Sequence, residues 1–249
     1  MFKSMFQVMK KIFMICMAAF MSVLVMRGYA RWLRNADVFQ IRRIEIRGND
    51  LIDDAEIRKL AGVDDAGSIW SVCLERAEQG IRSNPFVASA RISRRFPDIL
   101  DIRIQEKQAL ALLKSKKIFY AVDDSGLVLP TRPGRLYDMP VISCPLPGEP
   151  RLGKHIDSEQ VQAGLDFLKL VKSDREYLYK EISEVLPGKA EGIVLYTSRS
   201  GLRVLVGEKQ HATKIRCLEA VLGEVASQGG DIRYVDLRYQ GQVIIGIRT

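Results

Sequence analysis

The 249-residue sequence has few of the residues that usually mark a catalytic or metal-binding site. It contains two histidines, His155 and His211, and neither has a nucleophile or an acid at a recognisable spacing. The four cysteines lie far apart and form no CxxC pair, which argues against a zinc site and a disulfide framework. The glycine pattern contains no phosphate-binding loop. These absences predict a protein that is not an enzyme and has no cofactor, metal or small-molecule substrate.

Acidic residues are missing from the first 36 positions, and this explains most of the net charge. The chain has a formal charge of +8, and six lysines and arginines lie in this acid-free segment. The other 213 residues keep 32 of the 38 basic side chains and all 30 acidic ones, a net of +2. A basic excess indicates nucleic-acid binding only when it lies on the folded domain. The sequence therefore predicts no nucleic-acid partner.

Residues 12–26 are apolar at every position but one. As a helix they span about 22 Å, less than the hydrocarbon core of about 30 Å. The span lengthens to about 33 Å if the helix extends back to Met5, with the stems of Lys10 and Lys11 along the acyl chains and their ammonium groups at the headgroups. Tyr29 and Trp32 would then lie in the opposite interface, where amphipathic rings are favoured. The segment is predicted to be a transmembrane anchor.

A cleaved signal peptide is the alternative interpretation of this segment. The Gly-Tyr-Ala sequence at residues 28–30 has the small-x-small form of a cleavage site. Arg27 falls inside the cleavage region and argues against it. We therefore expect an uncleaved transmembrane helix over residues 12–33, preceded by a cytoplasmic segment over residues 1–11. Basic residues flank the helix on both sides, so the positive-inside rule does not decide its orientation.

Residues 38–107 have the periodicity of a strand followed by two helices and two more strands. Apolar and charged residues alternate over 43–47, as in a half-buried strand. Asp53 and Glu56 have the form of a capping box at the start of a helix. The second helix and the two later strands have these apolar positions: Leu74, Ala77 and Ile81; Ala88, Ala90 and Ile92; Leu100, Ile102 and Ile104. Such a sheet buries one face under the two helices.

This order of elements resembles a POTRA domain, with Asn84-Pro85-Phe86-Val87 ending the second helix and Phe96-Pro97 joining two strands. The resemblance implies a domain that binds other polypeptides. Arginines occupy polar strand positions and predict a solvated sheet face, with a docking surface as the alternative: Arg91, Arg94, Arg95 and Arg103.

Residues 108–249 change to short strands and turns with two amphipathic helices. Asp123-Asp124-Ser125-Gly126 and Ser198-Arg199-Ser200-Gly201 are predicted hairpin turns. The last two strands are predicted over 232–239 and 243–247, around a turn at Gln240-Gly241. The whole chain is thus predicted to be α+β, with a transmembrane helix, a β-α-α-β-β POTRA domain over 38–107, and a β-rich domain over 108–249 with two helices packed on a mixed sheet.

Three motifs add to this order of domains: "FYAVDDSGLVLP", "VLVGEKQHATKIRCLEAVL" and "RYVDLRYQGQVIIG". With the POTRA pattern, they resemble the FtsQ/DivIB family of bacterial cell division proteins over essentially all of residues 5–249. The resemblance implies a divisome scaffold at the division septum that links early and late division proteins. It also implies a single-pass protein of the cell inner membrane, with a cytoplasmic N-terminus and its bulk in the periplasm.

The resemblance implies FtsB and FtsL as partners and places the FtsB contact in the last strands of the β domain. Carried over to this sequence, the contact residues are Arg238, Tyr239, Gly241, Gln242, Val243, Ile244, Ile245 and Gly246. The physical argument agrees, because an edge strand exposes backbone groups to which a partner strand can add. The alternative for residues 243–245 is ordinary sheet core.

Two other functions remain open on the sequence alone. A POTRA domain is also expected in components of outer-membrane protein export or assembly systems. A secreted enzyme or ligand-binding protein with a cleaved signal is the third interpretation.

Overall fold

The computed structural model of the chain describes residues 2–35, 37–63, 67–132, 137–209, 211–228 and 232–247. The chain divides into two compact units, Met1–Glu106 and Lys107–Thr249. Each unit contains both helices and a β-sheet, so the α+β class predicted from the sequence is confirmed.

The first unit begins with the long helix α1 (Phe2–Asn35), whose middle part exposes large apolar side chains. These exposed side chains stand at consecutive positions, such as Val23, Leu24, Val25 and Met26. Successive residues of a helix point about 100° apart, so the apolar surface surrounds the helix instead of forming one stripe. The described residues include no helix that combines the length and the apolarity needed to cross a membrane. The transmembrane helix over residues 12–33 stays a prediction.

A three-stranded sheet follows, covered on one face by two helices. Its elements are β1 (Arg43–Arg47), α2 (Asp54–Ala61), α3 (Leu74–Arg82), β2 (Val87–Arg95) and β3 (Ile99–Glu106). Strand β3 is central, parallel to β1 and antiparallel to β2. Fully or almost fully buried side chains from all five elements form one core, including Ile44, Ile57, Ile81, Ile92, Leu100 and Ile102.

The predicted capping box at the start of α2 is not formed. Asp53 occupies the N-cap position, but its side chain makes no capping hydrogen bond. The Oε1 atom of Glu56 instead accepts a hydrogen bond of 3.0 Å from the Nδ2 atom of Asn84. The loop before α2 is instead fixed by the last residue of β3. The carboxylate of Glu106 accepts 2.9 Å hydrogen bonds from the backbone N–H groups of residues 50–52. A distant carboxylate therefore fixes the loop before the helix, and the N–H groups that it binds precede the N-cap residue.

The polar face of this sheet is a network of ion pairs. Asp101 is buried at its centre and accepts a 3.0 Å hydrogen bond from the Nε atom of Arg103, while Arg95 lies 3.2 Å from the carboxylate of Glu45. Arg94 is not part of this face. Its guanidinium donates 2.7 Å hydrogen bonds to the backbone carbonyls of residues 69 and 72. The arginines predicted as one cluster therefore have two different structural roles.

Over its described residues, the second unit contains a nine-stranded mixed sheet with three helices. Its elements are β4 (Ala111–Ser115), β5 (Ile118–Val122), β6 (Val128–Leu129), β7 (Val141–Ile142), α4 (Glu159–Asp174), α5 (Glu176–Glu181), β8 (Ile182–Gly188), β9 (Gly192–Thr197), β10 (Arg203–Gly207), α6 (His211–Gln228), β11 (Ile232–Asp236) and β12 (Ile244–Ile247). The strand order is β12-β11-β10-β9-β8-β7-β4-β5-β6. The short helix α5 and the strand β8 were not predicted from the sequence, so the prediction of two helices is wrong by one.

The turn between β5 and β6 is organised by the buried carboxylate of Asp123. Its Oδ1 atom accepts hydrogen bonds from the backbone N–H groups of Ser125 and Leu127, at 2.9 and 2.8 Å, and from the Ser125 hydroxyl. Lys107 lies 3.2 Å from the other oxygen. Burial alone would raise the pKa of this carboxyl, but the Ser125, Leu127 and Lys107 contacts outweigh it and hold the pKa below its ordinary value.

Asp123→Asn is expected to destabilise the second unit by about 1–3 kcal/mol at neutral pH, because the buried N–H groups lose a charged acceptor. Since the folded pKa is depressed, Asp123 stabilises the fold above its unfolded pKa of about 4, and this contribution is lost as pH falls through the folded value. Denaturant titrations of both proteins should show a stability difference that shrinks on acidification. Asp124→Asn, which breaks only the exposed ion pair with Lys169, is the control and should change the stability by no more than about 1 kcal/mol. A difference independent of pH would contradict the assignment.

Candidate functional site

The β6 edge of the nine-stranded sheet is closed by the chain's own backbone. The N–H group of Val128 donates to the carbonyl of Lys154, and the N–H group of Gly153 donates to the carbonyl of Val128, both at 3.0 Å. Leu127 also forms a β-bridge with His155. Residues 153–155 therefore occupy the place that an added strand would need.

The β12 edge is different. Strand β12 pairs with β11 on one side, and within the described ranges no strand lies on its other side. The side chains of β12 and of Val243 just before it are apolar and substantially exposed: Val243 39%, Ile244 40%, Ile245 44% and Ile247 69%. These positions are not ordinary sheet core. An exposed apolar edge strand is a template for strand pairing, which natural proteins usually cover or interrupt with charge.

The turn between β11 and β12 is fixed by local contacts. Gly241 has a φ of +73°, which a side chain would disfavour, and the N–H group of Gln242 donates to the carbonyl of Tyr239 at 3.4 Å. Tyr239, beside this turn, is 53% exposed. The predicted contact residues 238–246 thus lie together on one hairpin at the open edge, with their apolar members accessible.

Arg238 is already paired inside the chain. Its Nε atom lies 3.0 Å from Oδ1 of Asp236, and one terminal nitrogen lies 2.7 Å from Oδ2. This bidentate pair with Arg238 is the main reason that the pKa of the Asp236 carboxyl is lowered, and it raises the pKa of Arg238. Asp236 is 5% exposed. The geometry gives Arg238 the role of fixing the hairpin at the end of β11.

Gly246 permits β12 to approach β11 closely. It is the direct cross-strand partner of Tyr234, and a β-carbon at position 246 would collide with the Tyr234 ring. The phenol ring therefore lies over the glycine, where a larger residue would have to displace it.

Gly246→Ala is expected to push β12 away from β11 at a cost of about 1–3 kcal/mol to their pairing, because the new methyl group overlaps the Tyr234 ring. Native-state hydrogen exchange should show faster exchange of the β12 amides. The double variant Gly246→Ala/Tyr234→Ala should recover most of the lost protection, whereas Tyr234→Ala alone should lose little. Equal loss in the single and double glycine variants would rule out the ring as the cause.

Three further residues of this edge were missed by sequence reasoning. Asp236 binds Arg238, Tyr234 lies over Gly246, and Ile247 is the most exposed apolar residue of β12. The alternation of Tyr234 and Asp236 with the buried Val235 could have indicated that they share a face. No sequence signal identifies their partners, because cross-strand pairs depend on the register.

The two histidines, which were considered as possible catalytic residues, lie beside backbone carbonyl groups. The Nδ1 atom of His155 lies 3.1 Å from the carbonyl of Ser125, and the Nε2 atom of His211 lies 3.1 Å from the carbonyl of Gly207. In the part of the chain that the structure describes, no group of three or more His, Cys, Asp or Glu side chains is arranged to hold a metal ion. The open edge is therefore the site that the geometry favours.

Comparison with known proteins assigns both units to one family. Residues 39–107 match the family model "POTRA domain, FtsQ-type", and residues 111–238 match "Cell division protein FtsQ/DivIB, C-terminal". The second match ends at Arg238, before the exposed part of the hairpin.

Similar curated proteins bear names of the same family. The chain is 29% identical over 211 residues to Cell division protein FtsQ of Syntrophotalea carbinolica, covering 84% of this chain and 74% of the relative. It is 25% identical over 230 residues to Cell division protein FtsQ of Geotalea daltonii, covering 92% and 84%. A solved extracytoplasmic domain of DivIB from Geobacillus stearothermophilus aligns at 15% identity with a TM-score of 0.33, over 50% of this chain and 98% of that one. The assignment thus rests on sequence: this chain belongs to the FtsQ/DivIB family of cell division proteins.

Proposed function

We propose that this chain is a non-enzymatic divisome scaffold that binds FtsB, together with FtsL, by strand addition at β12. The partner strand would pair along the outer side of β12 and cover its apolar side chains. The exposure of residues 243–247 on a strand without an outer neighbour is the observation that supports this most strongly. The choice of FtsB and FtsL as the partners comes from the family resemblance.

Strand addition fits this edge for two physical reasons. Backbone groups on the free side of an edge strand supply main-chain hydrogen bonds, while alternate side chains supply specificity. Ile244 and Gly246 lie on one face of the sheet, and Ile245 and Ile247 lie on the other, so an added strand can bury apolar surface on both faces. The predicted residues 238–242 would frame the end of the added strand, with Tyr239 as an anchor.

The proposal also places the chain in the cell inner membrane at the septum, with its N-terminus in the cytoplasm and the chain after α1 in the periplasm. The support is the exposed apolar surface around the middle of α1. A helix that is apolar on all sides needs a nonaqueous environment along its length.

Full-length chain in detergent should bind the periplasmic part of its own organism's FtsB saturably, with and without FtsL. Tyr239→Ala should weaken binding about thirtyfold, which corresponds to the 2 kcal/mol typical of a hot-spot residue. Tyr177→Ala removes an equally exposed tyrosine from α5 and should leave binding unchanged. Absence of binding by the folded wild type would overturn the proposal and favour the export or assembly function.

A further inference from the structure

An exposed aromatic patch lies on the first unit at the point where the chain leaves α1. It consists of Phe39, Trp70 and Phe96. The ring centroids of Phe39 and Trp70 are 6.0 Å apart, and those of Trp70 and Phe96 are 5.0 Å apart. Trp70 is 39% exposed and Phe96 is 55% exposed, so large aromatic surfaces face outwards. Phe39 is partly buried and packs against the core of this unit, whereas Trp70 and Phe96 are the exposed rings.

The patch is held rigidly. The guanidinium carbon of Arg94 lies 5.7 Å from the centre of the Trp70 ring, a cation–π contact. The same guanidinium binds the carbonyls of Ile69 and Val72 on both sides of the tryptophan. The N–H group of Ile69 donates to the carbonyl of Phe39 at 2.8 Å, which joins the patch to the segment after α1. The exposed rings are thus part of the fold and do not belong to a loose loop.

The patch follows α1 closely along the chain, so it must lie near the end of that helix. Helix α1 ends at Asn35, and Phe39 follows four residues later, so their Cα atoms are separated by at most about 14 Å. Near the end of α1, Tyr29 and Trp32 stack with ring centroids 5.9 Å apart, and both are 61% exposed. Val38, beside Phe39, is 60% exposed. Exposed aromatic and apolar side chains therefore continue from the helix end onto the folded unit.

We propose that this aromatic patch docks the first unit onto the surface of a phospholipid bilayer. Aromatic rings with a polar or cationic neighbour favour the boundary between headgroups and acyl chains. The short connection to α1 keeps the patch within reach of that boundary. The inference rests on the proposed insertion of α1, and it adds a second membrane contact made by the folded unit itself.

The two tryptophans of the chain give a direct test, since each reports on one of the two contacts. Full-length Trp32→Phe leaves Trp70 as the only tryptophan, and Trp70→Phe leaves Trp32. Both proteins are reconstituted into vesicles of phosphatidylethanolamine and phosphatidylglycerol, with ordinary or brominated acyl chains. We expect brominated lipid to quench about half of the Trp70 emission, because a ring at the headgroup–acyl boundary touches the acyl chains. Trp32 should be quenched as well.

A matched control places a tryptophan on the other unit. In the triple variant Trp32→Phe/Trp70→Phe/Phe119→Trp, the only tryptophan is at an exposed aromatic position on β5. Its emission should respond to aqueous iodide and not to brominated lipid. Quenching of Trp32 without quenching of Trp70 would overturn the docking proposal and leave the anchor in place. Failure to quench either tryptophan would overturn both, so the two failures are distinguishable.

Discussion

Of the two variants Ile244→Pro and Ile245→Pro, one is expected to bind FtsB at least about a hundredfold more weakly while its second unit remains folded. Successive N–H groups of a strand point to opposite sides, so one of these two points towards β11 and the other away from it. Proline removes the donor and adds a ring at that position. At the outward position it prevents a partner strand from pairing, and the hundredfold loss corresponds to about 3 kcal/mol.

The second proline variant is the matched control. At the inward position proline removes a bond between β12 and β11, so it should loosen the hairpin and accelerate hydrogen exchange of the β12 amides. Binding is measured by titration and folding by thermal unfolding of the same samples. Normal binding by both variants, with the fold intact, would exclude strand addition at β12 and favour a contact made through side chains alone.

Leu100→Asp is expected to destabilise the first unit by several kcal/mol, sufficient to unfold it, because a carboxylate replaces a fully buried side chain on the central strand. Leu100 pairs with Ile44 on β1 and Arg94 on β2. The charge would therefore lie in the middle of the three-stranded sheet, away from water, beside an Arg94 guanidinium that is already bound to the backbone carbonyls of Ile69 and Val72.

Gln105→Asp is the control on the same strand. Its side chain is exposed, so the same kind of charge should change the stability by no more than about 0.5 kcal/mol. Thermal unfolding monitored by circular dichroism compares both variants with the wild type. An unchanged melting curve for Leu100→Asp would mean that the two faces of β3 are assigned wrongly.

Apolar periodicity predicted most of the first unit because its buried positions recur at strand or helix spacing. Ile102 and Ile104 are buried as expected, and Ala77 and Ile81 form the inner stripe of α3. The pattern failed at the start of β2, where the pairing shifts between Val87 and Ser89. With this bulge, Val87 is buried and Ala88 is exposed, although Ala88 was predicted to lie on the apolar face. A bulge inverts the alternation locally, and sequence spacing cannot show it.

Strand β8 was not predicted, because its sequence also departs from the usual pattern of a strand. Its residues Ile182–Gly188 include a proline and a glycine, which usually argue against a strand interior, and it follows α5 without a separate loop. The location of the candidate edge was predictable only through the family resemblance, which places the contact in the last strands of the β domain. The pairing of Arg238 with Asp236 was not, since it depends on the turn geometry after β11.

The contrast between the two sheet edges has a consequence for stoichiometry. With β6 closed by residues 153–155, the described part of the nine-stranded sheet has one place for an incoming strand. Two copies of the chain that paired through β12 would form a twofold-symmetric dimer. In this dimer, the β12 strand of each copy would cover the free edge of the other. Self-association and partner binding would therefore compete for the same backbone groups. The apparent affinity for the partner would fall as the concentration of the chain rises.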